Sequence, residues 1–256
     1  ANKEGYAVPA FNFNNMEMAM AIVEACAEMG SPVILQCSKG ALKYMGADVA
    51  PLLAKAAVDR ARNMGSDIPV ALHLDHGPDL ETVKTCIEAG FSSVMIDGSH
   101  YDFAKNIQVS KEVVDYAHEL GLTVWTHNCR GNYESRSAAE GTYEAIAKKF
   151  LAEQHYDRFF LEWDSDTAGD IKALEALKDS KAEVVLGLLS SKTTELDDEE
   201  RVLDLLEKAS QILPKERLFL SHQCGFASCD SGNELATPQQ WAKIKQGQDI
   251  AKKFFG

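Results

Sequence analysis

The chain has 256 residues, 45% of them apolar and 25% charged, and carries a net charge of −13 at neutral pH. That profile is ordinary for a globular protein, and the charge excludes nucleic acid and anionic membrane as partners by repulsion. No apolar run reaches the roughly 18 residues that span a bilayer, and no apolar leader opens the chain, so a soluble cytoplasmic protein is expected.

Short apolar runs rich in Val, Ile, Leu and Phe recur at 7–11, 32–37, 70–75, 93–97, 123–128, 158–163, 183–189 and 218–223. Each is too short for a buried helix and has the composition of a strand covered on both faces. Helical periodicity fills 16–29 after Asn14-Asn15, 79–89 up to Gly90, and 104–120 up to Gly121. It returns over 143–154, 197–213 and 237–255, the last with Pro238 in its first turn. The acidic run Asp197-Asp198-Glu199-Glu200 is read as a solvated first turn, favourable at a helix N-terminus.

Eight strand-then-helix units at a regular beat predict an α/β fold of the (β/α)8 TIM-barrel kind, with an open doubly wound sheet as runner-up. No Pro-, Gly- or Ser-rich tract divides the chain, so 1–256 is expected to be one domain. Functional residues then belong at the C-terminal ends of the strands.

Several strand ends carry chemistry. Gly5-Tyr6-Ala7-Val8-Pro9-Ala10-Phe11-Asn12, Gln36-Cys37-Ser38-Lys39-Gly40, His73-Leu74-Asp75-His76-Gly77 and Ser93-Val94-Met95-Ile96-Asp97-Gly98-Ser99-His100 occur in order over the first half. Together they resemble the class II fructose-bisphosphate aldolases over roughly 5–120. That resemblance implies His76 as a zinc ligand, Asp75 as the general acid/base and Ser38 near a substrate phosphate. Zinc would polarise a ketone while the carboxylate moves protons at the carbon–carbon bond. The family's two further zinc-ligand histidines and its later phosphate loops have no counterpart after Gly121. His76, Asp75 and Ser38 are therefore read as relics.

The second half reads differently. Thr126-His127-Asn128-Cys129-Arg130-Gly131-Asn132, Phe160-Leu161-Glu162, Leu188 with Ser191-Lys192-Thr193, and His222-Gln223-Cys224-Gly225-Phe226-Ala227-Ser228 resemble the catalytic domain of cobalamin-independent methionine synthases. The resemblance implies a zinc site of His127, Cys129, Glu162 and Cys224. Spacing adds to it, because residues i and i+2 of a strand point to one side. Two thiolates, an imidazole and a carboxylate suit tetrahedral zinc. The other cysteines, Cys26, Cys37, Cys86 and Cys229, are read as reduced thiols.

Two half-sets of parts predict a chimera joined at 121–123, in which an aldolase-like half-barrel, 1–121, meets a methionine-synthase-like half-barrel, 122–256. The expectation is an engineered TIM barrel with a zinc site, no specific partner, no native small-molecule substrate and no efficient native activity. The alternatives are a natural zinc-dependent thiol methyltransferase-like enzyme and a residual class II aldolase.

Overall fold

The computed structural model describes residues 8–226 and 231–256. The chain divides into two compact units, Ala1–Leu120 and Gly121–Gly256. Gly5, Tyr6 and Ala7 of the first motif, and Ala227, Ser228 and Cys229 near the last, lie outside the described residues.

In the first unit, strands β1 (Ala10–Asn12), β2 (Val33–Ser38), β3 (Val70–Gly77) and β4 (Ser93–Ile96) form a parallel sheet in that order. Helix α1 (Met16–Glu28) links β1 to β2, α2 (Lys39–Met45) and α3 (Val49–Asn63) link β2 to β3, and α4 (Leu80–Glu88) links β3 to β4. Helix α5 (Phe103–Glu119) closes the unit. In the second, β5 (Trp125–Asn128), β6 (Arg158–Glu162), β7 (Glu183–Leu189) and β8 (Leu218–His222) form another parallel sheet in chain order. Helix α6 (Glu199–Ser210) precedes β8 and α7 (Thr237–Phe255) follows it. This is the expected α/β architecture, parallel strands in two four-strand halves.

The strands form where apolar runs can be covered on both faces. In β7, Val184 through Leu189 are all buried, as in strands sandwiched within an α/β layer. Helices start where an Asn or Asp side chain can cap a free N–H. Asn15 accepts from Met18 N, Asp79 from Thr82 N and Asp102 from Lys105 N. Asp198 accepts from the amides of Glu200 and Arg201, and Glu199 and Glu200 occupy the first turn of α6 as expected. Asp197 departs from the reading of that run as solvated. Its carboxylate is nearly buried and lies 3.1 Å from the ammonium of Lys243, a fully buried lysine on α7.

The helix expected over 143–154 is not formed. The Tyr143 amide donates to Ala168 O, and the Tyr143 ring is buried against Trp163 at 4.4 Å between centroids. Those tertiary contacts outbid the local periodicity, and only a single wide turn, Lys148–Ala152, remains. After β6 the connection is a short 3-10 segment, Ile171–Leu177. Among the described residues, no helix is long and apolar enough to cross a membrane.

Candidate functional site

At the end of β3, the register against β4 shifts between Leu74 and Gly77. His76 sits there at φ 54°, in the left-handed region that costs a non-glycine residue free energy. A bulge of this kind re-aims side chains that strict alternation would send to opposite faces. Here it brings two consecutive residues together, with His76 Nε2 3.8 Å from Asp75 Oδ1. Gly77 makes the bulge sterically allowable. A Cβ at this position would lie 2.6 Å from Met95 O and 2.7 Å from a Leu74 methyl.

Both side chains are held. Asn12, the last residue of β1, donates to Asp75 Oδ2 at 2.8 Å, reaching over β2, while Gln36 of β2 donates to Asn12 Oδ1 at 3.0 Å. His76 Nδ1 lies 2.7 Å from Asp97 Oδ2 just past β4, which leaves Nε2 as the ring nitrogen on the Asp75 side. Burial would raise the Asp97 carboxyl, but hydrogen bonds from Ser99 and His76 outweigh it and bring its pKa down to about 2. Ser38 caps α2, its hydroxyl oxygen accepting from Ala41 N at 3.2 Å.

In the second unit, one nitrogen or sulfur atom from each of His127, Cys129 and Cys224 lies within 4.8 Å of the others. His127 is on β5 and Cys129 directly follows it, while Cys224 lies two residues past β8. Those strands are the two edges of the four-stranded sheet, so the loops beyond them must be tied together. A buried amide network does this. Asn132 donates to Gly225 O at 2.7 Å, and Asn233 donates to Asn132 Oδ1 and Ser191 O, each at 2.8 Å. Gln223 accepts from Ser191 N at 2.7 Å and donates to Ser191 Oγ at 3.0 Å. Asn132, Ser191 and Gln223 are buried and each of these bonds is internal to the unit, so the loops carrying Cys129 and Cys224 are fixed in place.

The two thiols share a hydrogen bond that splits their acidities. The contact with Cys129 lowers the Cys224 thiol to about 6, and the same contact holds the Cys129 proton more tightly. The pair therefore loses its first proton easily and resists losing the second. A cation bound between the two sulfurs would favour the second loss. The donor set, one imidazole and two thiolates, fits zinc.

Glu162 does not join that group. It is 2% exposed, and both its carboxylate oxygens are engaged. Oε2 accepts from Arg130 N at 2.7 Å, and Oε1 lies 2.6 Å from the Lys192 ammonium. Lys192 also lies 3.6 Å from Asp164 Oδ2. Sequence reasoning gave Lys192 and Arg130 no role, although both fall inside the runs that resemble the methionine synthases. Their signal was a basic residue beside an expected ligand, which becomes informative only once the strand ends are placed.

Among comparisons with known proteins, the sequence model of the family Fructose-bisphosphate aldolase class-II matches residues 1–126. A fructose-bisphosphate aldolase of Treponema pallidum (strain Nichols) is 45% identical over 157 residues, which are 61% of this chain and 44% of that protein. The chain thus spans less than half the length of this relative. By structure, the YdjI aldolase from Escherichia coli K12 aligns with a TM-score of 0.50 at 19% identity, covering 98% of this chain and 89% of that one. A B12-independent methionine synthase from Shewanella sp. W3-18-1 aligns with a TM-score of 0.51 at 16% identity, covering 91% of this chain and 66% of that one. At those identities the structural likenesses establish the fold alone.

These findings correct the expectation of an engineered, inactive chimera. The family match continues to residue 126, beyond the expected junction at 121–123. The Treponema match, at 157 residues, is longer than the 121 allotted to an aldolase-like half. The resemblance of the second half to methionine synthases has structural likeness behind it and no more.

Proposed function

We propose that the protein is a lyase of the class II aldolase type, breaking or making the carbon–carbon bond of a phosphorylated ketose. The observation that carries this reading is the 45% identity over 157 residues to an aldolase, together with the family match over residues 1–126, which includes the β3 end. The geometry there supports it. Asp75, held by Asn12, is placed to take the proton of the hydroxyl two carbons from the ketone. As that oxygen becomes an aldehyde carbonyl, the carbon–carbon bond breaks and its electron pair stays on the carbon next to the ketone. The hydroxyl of Ser38 accepts from a backbone amide and keeps its own hydrogen free to donate to a phosphate oxygen.

Zinc, when bound, supplies polarisation of a ketone oxygen in this chemistry. The first unit offers such an ion one imidazole, that of His76, oriented by Asp97. One imidazole by itself does not make a zinc shell.

A second reading rests on a specific observation, the convergence of His127, Cys129 and Cys224. It gives the second unit a zinc centre that lowers the pKa of a bound thiol, the chemistry of a thiol methyltransferase-like enzyme.

Retro-aldol turnover of fructose 1,6-bisphosphate with zinc present tests the first reading. Asp75→Ala is expected to lower it by about 100-fold or more. Wild-type turnover no faster than that of Asp75→Ala would overturn it. Metal content tests the second: wild type should carry zinc that His127→Ala and Cys224→Ala lose. Equally little zinc in all three would sink the centre.

A further inference from the structure

Lys192 is a buried cation with no part in either reading. Its side chain is 11% exposed and lies between two buried carboxylates, Glu162 and Asp164, which are 2% and 7% exposed. An ammonium in such a place is stable only because it is paired, and the carboxylates are stable only because it is present. Of the two, Glu162 is the closer, at 2.6 Å. The other Glu162 oxygen receives the backbone N–H of Arg130, the residue after Cys129. The Arg130 guanidinium donates to Glu162 O and Gly141 O, each at 2.8 Å. Glu162 is thus bound into the loop that carries Cys129, with both oxygens held by Arg130 N and Lys192 and neither within the group formed by His127, Cys129 and Cys224.

We propose that the metal centre has three protein ligands, His127, Cys129 and Cys224, and an open fourth position, and that Lys192 is the positioning residue that keeps it open by holding Glu162 back. Sequence resemblance alone would make Glu162 the fourth ligand and close the shell. With Glu162 held in the outer shell, its work is to orient the Cys129 loop through the Arg130 amide. The fourth position is then free for a thiol, which binds as thiolate after giving its proton to solvent. Removing the Lys192 charge frees Glu162 to enter the shell, and the site becomes tighter for metal and closed to the thiol. This inference rests on the second unit's zinc reading.

The test uses the full chain loaded with zinc for affinity, by chelator competition, and with cobalt(II) for its visible spectrum. Glu162→Gln is expected to lower zinc affinity by about tenfold, the scale of an outer-shell change that leaves all three ligands in place, and to leave the cobalt spectrum before thiol addition like that of wild type. Its cobalt form should still change spectrum when 2-mercaptoethanol is added. Lys192→Met is expected to raise zinc affinity by about tenfold or more and to abolish that response. A fall in zinc affinity well beyond about 100-fold in Glu162→Gln, or a cobalt spectrum that differs from wild type before thiol is added, would make Glu162 a ligand and overturn the proposal. So would a Lys192→Met protein with unchanged affinity and an unchanged thiol response. If burial of two unpaired carboxylates prevents Lys192→Met from folding, Glu162→Gln decides alone. The underlying reading fails separately, by wild type carrying no more zinc than His127→Ala and Cys224→Ala.

Discussion

Cys224 and Cys37 are the same side chain in opposite surroundings. Cys37 lies on β2 with no exposed surface, and burial pushes its thiol up to about 12. Cys86 on α4 is buried likewise and raised to about 11. Cys224 is partly exposed and lowered to about 6 by the hydrogen bond with Cys129. Only the thiolate reacts, so a lowered pKa means a thiol already ionised at pH 7, whereas a raised one means almost none. In the folded, metal-free protein, iodoacetamide at pH 7 should therefore modify Cys224 first and leave Cys37 and Cys86 intact, as read by peptide mass spectrometry. The Cys224 rate should rise through about pH 6 and level off, rather than climb towards pH 9. Labelling of Cys37 as fast as Cys224 would refute this assignment. At this scale the sequence was informative where a rule links neighbours. His127 and Cys129 are two apart at a strand end, and the pattern alone suggested a shared partner. Lys192 and Glu162 are 30 positions apart, and nothing in either segment announces that pairing. It exists because β6 and β7 are adjacent and both residues lie at or beyond their C-terminal ends.

Strand β3 shows how one backbone irregularity serves a site. Regular alternation would point Asp75 and His76 to opposite faces, and the bulge turns them to one. Gly77 is the residue that permits it, since a Cβ there meets a carbonyl oxygen and a core leucine. Gly77→Ala should cost about 1–3 kcal/mol, the range for forcing a methyl into a packed site. Urea unfolding followed by circular dichroism would report it as a lower midpoint, and an unchanged midpoint would mean that the strand end yields freely. The eight strands were legible because apolar runs of this length have few other uses. The pair α2 and α3 was not singled out, because Gly40 and Pro51 interrupt the pattern in their first turns. Tyr143 misled in the other direction. Its segment has helical spacing, yet stacking on Trp163 and bonding to the 168 carbonyl hold it in a turn.

Across the whole molecule the two units have unlike cores. The first is built on alanines, with Ala19, Ala27, Ala50, Ala54, Ala57 and Ala61 buried beside a few larger residues such as Phe13, Leu35 and Leu74. The second buries Trp163, Tyr143, Phe159 and a series of leucines from Leu151 to Leu218. Burial stabilises in proportion to apolar area, and a large side chain contributes about 1.5–3 kcal/mol where an alanine contributes much less. Small side chains let α1 and α3 approach closely, but they remove less surface from water. The second unit should therefore outlast the first in denaturant. The sequence supplies the probe, because all three tryptophans, Trp125, Trp163 and Trp241, fall in the second unit. Fluorescence follows that unit alone, whereas far-ultraviolet circular dichroism follows the helices of both. In urea, the circular dichroism should begin to fall before the fluorescence shifts, with midpoints about 1 M apart. Coincident transitions would mean that the two units unfold as one, and the difference between their cores would then have no bearing on which gives way first.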